Sequence, residues 1–307
     1  MLRAVVLLTV ALASLLPQHV AGKPLSVITT LFPLQEFAQA VGKENAAVEL
    51  LLPPGAEPHT WEPRPSDIVK LHHADILIYI SQELEPWMAE VLKSVDNPGL
   101  SVIEVAHSFS ALKTAEEHRH GDPPHETAQH ALRDPHIWLN FAYDQTIIDI
   151  LAAAMSKRDP AAAPYYTKNA SEYKQQLQAL DQQYRKGLSA CRNRQFIVGG
   201  HAAFAYLAER YGLQQIPLYG LSPNAEPSPK KMAELIDTAK RHQVKVIYFE
   251  QLVSDRLAKV IAREVGAETL ALNNGANLTK EDIRAGTTFI HIMESNLEHL
   301  RYGLECQ

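Results

Sequence analysis

Residues 164–190 read PYYTKNASEYKQQLQALDQQYRKGLSA. The apolar positions Tyr166, Ala170, Tyr173, Leu177, Leu180, Tyr184 and Leu188 step by three or four, so one helix face stays apolar along the whole stretch. At 1.5 Å per residue an unbroken helix of about 26 residues is roughly 39 Å long, the size of a small domain. Such an element either joins two lobes stiffly, unlike a Gly/Ser tether, or lies as an ordinary surface helix within one lobe.

The flanking sequence favours a join. Short apolar, β-branched-rich runs alternate with longer helical patterns on both sides, as parallel sheets built from strand–helix units do. Four runs precede the helix, LSVITT (25–30), VELLL (48–52), ADILIYIS (74–81) and SVIEV (101–105). Four follow it, QFIVGG (195–200), QIPLYG (215–220), VKVIYFE (244–250) and ETLAL (268–272). The expected fold is α/β, with two pseudo-symmetric lobes, each a four-stranded parallel sheet with flanking helices, joined by one long rigid helix. The lobes are placed at 23–160 and 191–307, with the linker at 161–190.

The 307 residues suffice for two such lobes, and 46% hydrophobic with 21% charged residues is a globular composition. Net charge is −6 with no basic stripe, which argues against nucleic acid as a partner. At the N-terminus Arg3 precedes AVVLLTVALASLL, and small residues follow in HVAG before Lys23. This reads as a secretory signal peptide over residues 1–22, cut near Gly22, because the apolar run falls short of the ~20 residues that span a bilayer. The only cysteines are Cys191 and Cys306, so none stands at the cleavage point to carry a lipid anchor. In an oxidising compartment such a pair is expected to be bridged, two buried free thiols being the alternative.

Three histidines stand in similar settings: His59 in GAEPHTWEP, His136 in RDPHIWLN and His201 in IVGGHAAF. Each lies in a loop beyond a strand-like run, where ligands of parallel sheets bind. Singly, each reads best as a structural histidine. Together they point to one metal site between the lobes, since neutral imidazole is the commonest protein ligand of a borderline metal. Pro58 and Pro135 immediately precede two of them and restrict the backbone that presents the ring. Glu57, Glu62 and Asp134 could orient the rings or be solvated loop acids. The segment from Ala115 to His136 holds five of the fourteen histidines without periodicity and reads as a loop, where His118, His120, His125 and His130 would bind further metal weakly. Enzyme signatures are missing: there is no H-E-x-x-H, no G-x-S-x-G, no G-x-x-x-x-G-K-[ST] and no Cys-x-x-Cys, so the chain is expected not to be an enzyme.

The segments LLPPGAEPHTWEPRPSD, ADILIYISQELEPWM, DPHIWLN, GGHAAFAYLAERYGL, GLSPNAEPSP and VIYFEQLVSDRLAKVIAREVGAETLALN, in that order, resemble the periplasmic zinc-binding receptors of high-affinity zinc ABC transporters. The resemblance covers essentially the whole chain after the signal peptide. It implies a monomeric periplasmic solute-binding protein that captures zinc between its lobes and delivers it to a membrane permease. The ligands it implies are His59, His136 and His201. A histidine at position 201 favours zinc over the manganese or iron of related receptors, since hard cations prefer oxygen. The departure is in the loop after the last strand, where the family presents an acid and this chain reads LNNGANLT, with no acid between Glu268 and Glu281. Asn273 and Asn274 remain as side chains that could reach the cleft. Surface adhesion, described for some members, is the second class of function, and the lack of an anchoring cysteine argues against it.

Overall fold

The computed structural model describes residues 23–109, 134–221 and 227–307. The signal-peptide stretch 1–22, most of the histidine-rich segment with His118, His120, His125 and His130, and part of GLSPNAEPSP lie outside the described residues.

The first lobe runs β1 (Leu25–Thr29), α1 (Phe32–Gly42), β2 (Ala46–Leu50), α2 (Pro65–Leu71), β3 (Ile76–Tyr79), α3 (Met88–Ser94) and β4 (Ser101–Glu104), then α4 (Phe141–Arg158). The second follows α5 (Ala163–Gly187) as β5 (Gln195–Val198), α6 (Ala205–Arg210), β6 (Gln214–Pro217), α7 (Pro229–Arg241), β7 (Val246–Glu250), α8 (Arg256–Val265), β8 (Glu268–Leu272), α9 (Lys280–Ala285) and α10 (Phe289–Gly303). Both sheets are wholly parallel with equivalent orders, β2-β1-β3-β4 and β6-β5-β7-β8. All eight strand-like runs of the sequence are therefore strands. Central β3 is buried along its whole length, as a strand covered by helices on both faces must be. The order reverses between β1 and β3 in one lobe and between β5 and β7 in the other, which opens a crevice at the carboxyl ends of each pair.

The linker α5 has 25 residues, somewhat shorter than the predicted span. A 3-10 turn at Pro160–Ala162 precedes it, and Leu188 lies just past its end, buried. Its buried side chains are those that the periodicity marked, with Asn169 added. Asn169 Nδ2 donates to Val41 O in the first lobe at 3.0 Å, and Tyr184 donates to Met293 O in the second at 2.6 Å. The helix thus grips both lobes along one face.

The two lobes do not have separate cores, since one continuous apolar core runs from Val27 and Phe37 through Tyr166 and Leu177 to Phe289 and Leu300. Only a smaller cluster, with Ile197, Leu235, Ile247 and Ile261, is private to the second lobe. The reason lies in α10, which returns to the first lobe, where Phe289 meets Phe37 edge-on with ring centroids 5.4 Å apart. Glu36 of α1 accepts from Phe289 N at 2.6 Å and from the Tyr173 hydroxyl at 2.5 Å. Cys191 and Cys306 are joined by a disulfide that closes 115 residues of chain and ties the end of the second lobe to its beginning. Among the described residues no helix is long and apolar enough to cross a membrane.

Candidate metal centre

The three sequence-predicted histidines meet. His136 Nε2 lies 3.1 Å from His201 Nε2 and 3.4 Å from His59 Nε2, and all three ligand nitrogens fall within 4.8 Å of one another. A tetrahedral zinc ion with nitrogens at 2.0–2.1 Å separates them by about 3.3 Å, which the two separations from His136 Nε2 match. Among the described residues this is the one cluster of three or more metal-ligating side chains, and no carboxylate joins it.

His201 follows Gly199 and Gly200 at the end of β5, in the crevice where the sheet order reverses. Next to it the neighbouring strand β7 ends on Glu250, 2% exposed, whose Oε1 accepts from His201 N at 2.8 Å and lies 2.7 Å from His201 Nδ1. The sequence reading missed Glu250. The signal for it was a carboxylate ending an otherwise apolar strand at the edge that carries the site. Gly200 is required here, since a Cβ would sit 2.2 Å from Glu250 Oε1. Gln215 accepts from Phe204 N and donates to His201 O, closing the loop from the other side.

His136 stands at the entrance to a 3-10 turn, Ile137–Leu139, that leads into α4. Asp134, wholly buried, accepts from His136 N at 3.0 Å and lies 2.8 Å from His136 Nδ1. Both buried rings are thus held at Nδ1 by a carboxylate, which leaves Nε2 to face the centre. His59 is half-buried on the loop after β2. Its presentation depends on Trp87, which donates to Pro58 O at 3.1 Å and meets the Trp61 ring edge-on at 4.8 Å. Glu57 accepts from His59 N at 3.0 Å, so it braces the backbone of the loop, and Glu62 is exposed.

Burial, reinforced by the other two rings, pushes the His59 pKa down to about 2, and burial holds His136 well below its ordinary value. Both are neutral at physiological pH, as metal ligands must be. Burial also works to lower His201, but the carboxylates around it, Glu250 first and then Glu57 and Asp134, together outweigh it and raise the pKa. Burial lifts the Glu57 carboxyl to about 7, against the pull of His201.

The side-chain amides of Asn273 and Asn274 are committed to partners other than the imidazoles. Asn273 Nδ2 donates to Gln251 Oε1 at 2.6 Å and its Oδ1 accepts from Gly275 N. Asn274 Nδ2 donates to Glu250 Oε2 at 3.2 Å and its Oδ1 accepts from Ala276 N. The loop they belong to is bonded to the first lobe, through Trp138 Nε1 to Asn274 O at 2.7 Å, Phe32 N to Ala276 O at 3.0 Å and Asn277 Nδ2 to Pro53 O at 2.8 Å. With Tyr206 donating to Asp134 O at 3.2 Å, these contacts close the lobes over the triad.

Residues 27–303 match the protein family described as "ZnuA: Zinc-uptake complex component A periplasmic". The chain is 39% identical over 284 residues to the "High-affinity zinc uptake system protein ZnuA" of Bacillus subtilis, covering 92% of this chain and 88% of that protein. It is 37% identical to the "Zinc-binding lipoprotein AdcA" of Streptococcus pneumoniae, covering 92% of this chain and 56% of that longer protein. The crystal structure of the Zn(II)-bound ZnuA-like domain of the pneumococcal AdcA superposes with a TM-score of 0.76 at 34% identity, covering 92% of this chain and all of that one.

Proposed function

The chain belongs to the family of periplasmic zinc-uptake component A proteins, and on that premise we propose that His59, His136 and His201 are the ligands by which it captures zinc. The protein is a solute-binding receptor of zinc transport, and zinc is its cargo. In this reading it works as a monomer in the periplasm, after removal of residues 1–22, and hands the ion to the permease subunit of an ABC-type importer.

The observation that carries the ligand assignment is the spacing of the three Nε2 atoms, two of whose separations match a tetrahedron edge. Donor chemistry supports zinc over manganese or iron, because a set of imidazole nitrogens suits the softer ion. Three neutral imidazoles leave the full +2 charge of the metal, and the buried carboxylates of Asp134 and Glu250 behind the rings offset it.

Calorimetric zinc titration of His59→Ala, His136→Ala and His201→Ala tests the assignment. Each is expected to lose the tight site while the metal-free protein keeps its fold. Wild-type affinity in all three would place the site elsewhere. Elemental analysis after exposure to equimolar zinc and manganese tests the choice of metal, with one zinc per chain expected.

A further inference from the structure

The side chains that bind metal are backed by side chains that aim them, and one of these lies in the loop that lacks an acid. Glu250 is buried at the end of β7, and its Oε1 is taken by the backbone and ring nitrogens of His201. What fixes the rotation of the carboxylate is therefore whatever meets Oε2. That partner is Asn274 Nδ2 at 3.2 Å. The amide is itself held, since its Oδ1 accepts from Ala276 N at 3.0 Å, which leaves the NH2 pointing at Glu250. The backbone carbonyl of Asn274 is anchored from the opposite lobe by Trp138, whose ring centroid is 5.3 Å from that of His136.

We infer that Asn274 is a positioning residue of the zinc site, setting Glu250, and through it the tautomer and aim of His201, without touching the metal. This rests on the reading of His201 as a ligand. An amide suits the task where an acid does not. The position needs a donor, and an aspartate there would set a second carboxylate against the buried Glu250. The absence of an acid from LNNGANLT then has a physical reason, because the charge that backs His201 is already supplied by Glu250.

The test is a double-mutant cycle on zinc affinity, measured by competition with a chelator of known strength. Asn274→Ala is expected to weaken binding by about 10–100-fold, the usual effect of losing a group that orients a ligand. In the Glu250→Ala background the same substitution should change affinity by less than about threefold, because nothing remains for the amide to orient. An equal loss in both backgrounds would reduce Asn274 to a loop-forming residue and overturn the inference, as would no loss in either. Asn274→Asp keeps the acceptor for Ala276 N and discards the donor, so it guards against simple misfolding of the loop. It is expected to bind zinc more weakly than wild type, and equal or tighter binding would overturn the inference. His201→Ala separates the two levels of the argument: if it weakens zinc binding while Asn274→Ala does not, only the inference fails, and if it binds as wild type the ligand assignment itself fails.

Discussion

His136 and His201 face each other Nε2 to Nε2 at 3.1 Å across the lobe boundary, each with a buried carboxylate at Nδ1. This symmetry of backing predicts that the carboxylates matter nearly as much as the rings. Asp134→Ala is expected to lower zinc affinity by about 10–100-fold. Competition against a fluorescent zinc chelator measures it, and an unchanged affinity would show that the His136 ring is held by its packing alone.

On the more exposed side of the site, Trp87 holds the carbonyl that immediately precedes His59. Trp87→Phe removes one buried N–H and keeps most of the apolar contact. A lost hydrogen bond of about 1 kcal/mol corresponds to roughly a fivefold weaker zinc affinity. Zinc titration of the variant checks this, and a loss as large as that of His59→Ala would mean that the loop had collapsed.

The strands and the linker helix were legible because their signals are local. Runs such as ILIY in β3 are apolar throughout, and the stripe from Tyr166 to Tyr184 repeats at helical spacing. The triad was legible for a different reason, since three histidines beyond three strands share an address in a parallel sheet. What escaped was what depends on neighbours in space. Glu250 is 49 residues from His201, and adjacency appears only when β7 pairs with β5. Trp87 and Pro58 lie 29 residues apart, and Asn274 meets Trp138 across 136. The shared core escaped likewise, because nothing local says that α10 returns to the first lobe.

Asp144, in the first turn of α4, is wholly buried, and neither carboxyl oxygen has a hydrogen-bond partner among the described residues. The neighbouring Arg210 is committed to Asp181, with contacts of 2.7 and 2.9 Å. Burial therefore lifts the Asp144 pKa well above its ordinary value, only partly opposed by Arg210. A carboxyl raised in the folded state gives its full stability below the unfolded pKa, near 3.9, and loses it as pH rises toward the folded pKa. Asp144→Asn is thus expected to melt several degrees higher than wild type at pH 8, with the gain shrinking toward pH 4. Thermal melts of metal-free protein across that range decide it, and a gain independent of pH would mean that Asp144 stays ionised.

The Cys191–Cys306 bridge closes a loop of 115 residues, so its loss should act on the unfolded chain. The chain-entropy estimate for such a loop is about 4–5 kcal/mol. Replacing both cysteines by serine is expected to lower the denaturation midpoint clearly. Zinc affinity should hardly change, because Cys191 precedes β5 and the site lies beyond its other end. A comparable loss of zinc affinity would show that the bridge shapes the site as well as the stability.

A zinc ion at the triad has a fourth position to fill. Three imidazoles converge, no carboxylate among the described residues joins them, and the amides of Asn273 and Asn274 are spent on Gln251 and Glu250. A zinc ion held by three protein ligands completes its tetrahedron with an exchangeable group, as open zinc sites do with water. His59, half-buried beside buried His136 and His201, marks the side of the triad nearest to solvent. An exchangeable ligand also suits a receptor that must surrender its cargo, since water can be replaced without breaking a protein bond first. A zinc-bound crystal structure is expected to show three Nε2 atoms and one water. A carboxylate oxygen of this chain at about 2.0–2.2 Å from the metal would overturn this. Glu57 is the side chain to inspect, because its carboxyl already feels His201 and its loop carries His59.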